Sequence, residues 1–220
     1  MKILVTGGSG YIGSVVVKDL LDLGHEVVVF DNLERGHRRN VDDRAKLVVG
    51  DLRNGEEIMK AMKVAQPDAV IHFAAYALVG ESMADPMKYF TNNVKGGINL
   101  VEAMQAVGCD RIIFSSSCAT YGIPPQLPIE EDMVQKPTNP YGQSKLMFEQ
   151  ICNWLADTKG FKPTFLRYFN AAGAAYGMAE DHEPETHIIP NVLNVAQGKK
   201  DCVQIFGDDY PTPDGTCIRD

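Results

Sequence analysis

Thr6-Gly7-Gly8-Ser9-Gly10-Tyr11-Ile12-Gly13 is the stretch whose reading decides the fold. A short apolar run, Lys2 to Thr6, leads into it, and Ser14 to Leu23 follows as a helix stopped by Gly24. A second apolar run, Glu26 to Phe30, ends in Asp31. Strand, glycine turn, helix, strand and acid within about thirty residues make a dinucleotide-binding βαβ unit. Gly7 or Gly8, with Gly10 and Gly13, would let the backbone turn tightly, approach a pyrophosphate and pack helix on strand. The helix N-terminus offers amide donors to the phosphates. Asp31 would accept from the adenosine ribose hydroxyls and repel a 2′-phosphate, which favours NAD over NADP.

Downstream the alternation continues. Strands are expected at Lys46–Val49, Asp68–Phe73, Arg111–Ser115 and Lys162–Phe169. Helices are expected at Asn54–Ala65, Asp85–Val107 and Pro140–Thr158. Such alternation implies an α/β fold, a parallel sheet wound on both faces. Residues 1–170 form the expected NAD-binding Rossmann-like domain, and 171–220 a loop-rich region with a helix at His187–Gln197 and a short strand at Cys202–Phe206. Asp51, at the end of the third strand, could contact adenine or cap the next helix, and capping is the stronger local reading. Ala74-Ala75 follows the fourth strand, where small residues let a cofactor approach. Asn92-Asn93 inside a helix suggests a ligand or loop contact.

A second signal is Pro140-Tyr141-Gly142-Gln143-Ser144-Lys145. Tyr and Lys four apart share one helix face. A nearby ammonium favours the phenolate and would lower the Tyr141 pKa, suiting it to take a proton from a sugar hydroxyl. Ser117, at the end of the fifth strand, could hydrogen-bond substrate or cap local backbone.

Composition sets the outer limits. With 21 basic and 29 acidic residues the chain carries a net charge of −8, which argues against nucleic acid or an anionic membrane as the main partner. Five scattered cysteines without Cys-x-x-Cys fit reduced thiols in a cytoplasmic protein and give no zinc-binding pattern. No signal peptide or membrane-spanning run is read from the sequence.

The glycine loop, Asp31, the strand-end serines and Tyr-x-x-x-Lys, in that order, resemble the extended short-chain dehydrogenase/reductase family. Asp31-Asn32-Leu33, His72-Phe73-Ala74-Ala75, Val79-Gly80-Glu81-Ser82, Tyr168-Phe169-Asn170 and Phe206-Gly207-Asp208-Asp209-Tyr210-Pro211-Thr212 narrow the resemblance to its UDP-glucose 4-epimerase branch. The resemblance implies tightly held NAD, a UDP-sugar substrate, a homodimer and reversible oxidation at sugar C4, linking UDP-galactose and UDP-glucose. Tyr141, Lys145 and Ser117 would be catalytic. Gly7, Gly10, Tyr11, Ile12, Gly13, Asp31, Asn32, Asp51, Leu52, Phe73, Ala74, Ala75, Asn92 and Phe169 would join Tyr141 and Lys145 around NAD. Asn170, His187, Phe206 and Arg219, with Ser117, would hold the UDP-sugar. Ala77 stands where several family members carry a lysine, and His187 where asparagine is frequent. Members continue for roughly another hundred residues, within the range of a domain, so the substrate-binding region is expected to be incomplete here.

Four alternatives compete. Sugar-nucleotide 4,6-dehydratases need an acid pair where this chain has Cys118 and Ala119, and UDP-glucuronate decarboxylases a glutamate at Ala119. A nucleotide-binding module without catalysis, or an inactive remnant, is the rival of another class. A UDP-N-acetylglucosamine 4-epimerase would share every motif above.

Overall fold

The computed structural model describes residues 1–182 and 185–217 of the chain. It divides into two compact units, Met1–Phe169 and Asn170–Asp220.

In the first unit six parallel strands form one sheet in the order β3-β2-β1-β4-β5-β6. They are β1 (Lys2–Thr6), β2 (Glu26–Asp31), β3 (Lys46–Val49), β4 (Ala69–His72), β5 (Arg111–Ser117) and β6 (Lys162–Tyr168). The central strands are buried on both faces: Leu4, Val5 and Val29 are sealed from solvent, as a parallel sheet covered by helices requires. One core layer packs Leu4, Phe30, Ile58, Met62, Leu100, Met104 and Phe148; the opposite layer packs Val5, Val17, Val29 and Ile71. The strand order reverses between β1 and β4, the point at whose carboxyl-end side open α/β sheets bind their ligands.

The helices are α1 (Tyr11–Asp22), α2 (Gly55–Ala65), α3 (Val79–Ala84), α4 (Pro86–Tyr89), α5 (Gly96–Ala106) and α6 (Pro140–Lys159). Three differences from the sequence reading have local causes. The cap of α2 is Asn54, whose side chain accepts from Glu56 N, so Asp51 does not cap it. The long helix expected from Asp85 to Val107 is α4 and α5 joined through a π-helical segment, Phe90–Lys95. α3, six residues before it, is too short to announce itself by periodicity.

The second unit contains α7 (Ile188–Ala196). Residues 202–206, expected as a strand, pair with no described strand; they are exposed, and an isolated strand leaves its backbone groups to water. Among the described residues no helix is long and apolar enough to cross a membrane.

Asn54→Ala removes a cap whose carbonyl oxygen satisfies an otherwise orphaned helix amide. It should cost about 1 kcal/mol in urea unfolding. An unchanged midpoint would contradict the cap.

Candidate active site at the carboxyl ends of the strands

The glycine loop closes against β4. Gly7 has φ +71 and its N–H donates to the Phe30 carbonyl at 2.9 Å; a Cβ there would lie 2.6 Å from the Ala74 amide nitrogen. At Gly13 a Cβ would come within 2.2 Å of the Gly7 carbonyl oxygen. The sequence therefore lets the loop, the first turn of α1 and the Phe73-Ala74-Ala75 segment approach to backbone contact. Ala74 and Ala75 are half-buried, as are Tyr11 and Ile12 at the start of α1.

Asp31 ends β2, buried, beside this loop. Its carboxylate accepts from Ser9 N at 3.0 Å and Leu33 N at 2.8 Å. Both bonds hold the acid at the loop, where its remaining lone pairs can meet a ribose hydroxyl. Next to it Asn32 donates to Asp51 at 3.0 Å, which places two more expected cofactor residues together. The Arg53 guanidinium grips Asp51 and, with the Asn32 bond, holds its pKa at about 2 against partial burial. Leu52 is buried in the core, beneath this edge rather than on its surface.

β5 runs to Ser117, and α6 begins opposite it at Pro140, capped by the Asn139 side chain on Gly142 N at 2.8 Å. This brings the phenol of Tyr141 near the hydroxyl of Ser117, which favours its ionised form. Ser117 Oγ also accepts from Ala119 N at 3.1 Å, the local backbone cap that was one of its two expected roles. Lys145, one turn further, is 2% exposed and donates to the Ser115 carbonyl at 2.7 Å.

The electrostatics differ from the sequence reading. Burial pushes the Tyr141 phenol above its ordinary value, outweighing the Ser117 hydrogen bond that acts the other way. Lys145 lies 5.8 Å from the centre of the Tyr141 ring and spends its proton on a carbonyl instead. Burial also pulls Lys145 down to about 7. Spacing placed the two side chains on one face, but it does not count the desolvation that both suffer.

The loop contact expected of Asn92-Asn93 is made, and Tyr89 is a contributor that the sequence did not reveal. Asn93, not only Asn92, organises the π-helical segment: it accepts from Tyr76 N at 3.0 Å and donates to the Tyr76 carbonyl at 3.1 Å and to Ser144 Oγ at 2.9 Å. It thereby ties the loop after β4 to the helix that carries Tyr141. Asn92 donates to Asn93 at 3.0 Å. Tyr89 packs edge-on against Tyr141 at 6.4 Å between centroids. The paired asparagines were the available signal; Tyr89 gave none.

Of the remaining expected residues, Phe169 is 46% exposed at the end of the first unit. Asn170, His187 and Phe206 belong to the second unit, where all three are exposed. Arg219 lies outside the described residues. Within the second unit, His187 Nδ1 lies 2.8 Å from both Glu180 and Glu185, and His182 Nδ1 lies 3.3 Å from Glu180. These four groups present ligand atoms within 4.8 Å of one another, a set that could hold a divalent cation, although here acids and imidazoles already face each other. A search of the sequence for cysteine patterns does not reveal it.

Residues 3–220 match the model of the NAD dependent epimerase/dehydratase family. A UDP-glucose 4-epimerase from Lacticaseibacillus casei is 52% identical over 222 residues, covering 100% of this chain and 67% of that protein. One from Streptococcus mutans is 53% identical over 225 residues, with the same coverage of 100% and 67%. The crystal structure of UDP-glucose 4-epimerase from Bifidobacterium longum in complex with NAD+ and UDP superposes with a TM-score of 0.94 at 37% identity, covering 100% of this chain and 69% of that one. The chain thus spans about two-thirds of the length of these relatives. With a glycine loop against β4, an acid at the end of β2 and a Ser-Tyr-Lys group at the end of β5, it belongs to the NAD-dependent epimerase/dehydratase family.

Proposed function

We propose that this chain interconverts UDP-galactose and UDP-glucose by transient oxidation of the sugar at C4. The observation that carries the reading is the approach of Tyr141 to Ser117 beside buried Lys145, at the carboxyl end of β5. Relatives named UDP-glucose 4-epimerase along the whole chain support the substrate class.

NAD, when bound, supplies the acceptor for the C4 hydride and its return. The rest falls to the chain. Gly7, Gly10 and Gly13 leave room for the pyrophosphate against the amides that open α1, with Tyr11 and Ile12 beside it. Asp31, Asn32 and Asp51 form the polar edge for the adenosine half, above Leu52. Phe73, Ala74, Ala75, Asn92 and Phe169 take the rest of the cofactor. Tyr141 receives the proton of the 4-hydroxyl as C4 is oxidised and gives it back on reduction, while Ser117 orients that hydroxyl. Burial opposes the phenolate, and in this reading the Lys145 ammonium, one turn away, offsets that cost once the substrate is bound. Asn170, His187, Phe206 and Arg219 hold the uridine diphosphate portion.

Cys118 and Ala119 follow Ser117, so no carboxyl acid stands ready for dehydration at C5 and C6. We further propose that the enzyme is cytoplasmic, consistent with five cysteines that form no disulfide, and works as a homodimer through α5 and α6. Trp154 on α6 is 70% exposed and Ile98 on α5 is 37% exposed, apolar surface suited to a second copy.

Incubation with UDP-galactose and NAD, followed by proton NMR of the sugar, should yield UDP-glucose. Tyr141→Phe should keep NAD and lower turnover by roughly a hundredfold or more. No product from the parent chain, or an unchanged rate in the variant, would refute the assignment. Asp31→Ala should weaken NAD binding and narrow the preference over NADP, read by fluorescence titration with each cofactor. Equal affinities before and after the change would exclude the ribose contact.

A further inference from the structure

Glu149 is a buried acid for which the chemistry above has no use. It is 1% exposed and sits on α6 one turn beyond Lys145. Its Oε1 accepts from Ser116 Oγ and from Arg167 Nε at 3.1 Å. Its Oε2 accepts from Arg167 Nη2 at 2.8 Å and from Gln135 at 3.2 Å. Arg167 in turn donates to the Glu131 carbonyl at 2.9 Å and stacks on Tyr121, 5.0 Å from the ring centre. Stripping water from a carboxylate costs several kcal/mol unless partners replace it. Here both oxygens are filled, two of the bonds coming from one forked guanidinium.

The network ends where the site begins. Ser116 lies between Ser115, whose carbonyl holds Lys145, and Ser117, which meets Tyr141. Arg167 is the register partner of Ser116 across the β5–β6 ladder. One carboxylate therefore pins α6, the end of β5 and β6 together.

It also has an electrostatic reach. Lys145 faces Tyr141 and Glu149 on its own helix, the Phe114 ring and Ser115 carbonyl on β5, and His72 on β4. His72 is kept neutral, its pKa pulled to about 3 by burial, so Glu149 is the negative charge in this set. Glu149 itself faces Arg167 on β6, Ser116 on β5, Gln135 before α6, and Lys145 and Cys152 on α6.

We propose that Glu149 is a positioning residue: clamped by Arg167, it fixes the strand end that carries Ser117 and sustains the positive charge of Lys145. The proposal rests on the reading of Tyr141, Ser117 and Lys145 as the catalytic group. Burial alone would discharge Lys145 further, and the Glu149 charge acts against that.

The test is a carbon-13 NMR titration of protein labelled at the lysine ε-carbons, with NAD added, the Lys145 signal identified by its loss in Lys145→Arg. Glu149→Gln should lower the Lys145 midpoint by about one pH unit, the scale of a nearby charge removed from a buried site. Glu149→Asp, which keeps the charge, should recover much of it. Glu149→Gln with Arg167→Met removes the pair together and avoids an unpaired buried guanidinium. It should still lower the midpoint, because Glu149 is the charge that acts on Lys145 and Arg167 is not. In turnover of UDP-galactose, Glu149→Gln should reduce kcat with little change in KM. A Lys145 midpoint unmoved in both the single and the double variant overturns the proposal, even if kcat falls. The titration reads Lys145 with no sugar turned over, so its result stands apart from that of the epimerase assignment.

Discussion

Burying the Lys145 ammonium is the constraint on which the rest of the site depends. A cation 2% exposed must be given a carbonyl and a counter-charge or it loses its proton. The Ser115 carbonyl supplies the first and Glu149 the second. Meeting both needs requires α6 to lie across the end of β5, and that crossing sets Tyr141 against Ser117. The approach of Tyr141 to Ser117 thus follows from solvating one buried charge with protein dipoles. The same arrangement explains why β5 extends to Ser117, two residues past the expected end: its last residues pair with β6 through Tyr168 and carry the network.

The cofactor side depends on a different economy, that of close backbone approach. Gly7 meets the Ala74 amide and Gly13 meets the Gly7 carbonyl, at distances no Cβ tolerates. Asp31 then accepts two backbone amides, which fixes it beside the loop. The two halves are joined by Asn93, which binds Tyr76 after β4 and Ser144 on α6. It sits in the π-helical segment Phe90–Lys95, a local rewinding often found at functional sites.

Much of this was legible in the sequence because it is local. The glycine spacing, Asp31 and the strand–helix alternation depend on neighbours in the chain, and all six strands were placed to within two residues. What was not legible is non-local or desolvation-driven. The partner of Lys145 is a backbone carbonyl thirty positions away, which no side-chain pattern records. The Glu149–Arg167 pair spans two elements, and α3 is only six residues long. The direction of the Tyr141 shift was misjudged because spacing reveals a nearby charge but not the loss of water around a phenol.

The central claim is that C4 is oxidised and re-reduced within one closed site, with Tyr141 and Ser117 moving only the hydroxyl proton. Supplying UDP-galactose carrying deuterium at C4 tests this directly. The account predicts that the UDP-glucose formed retains deuterium at C4, because the hydride leaves and returns without meeting water. Replacement by solvent hydrogen at C4 would contradict it.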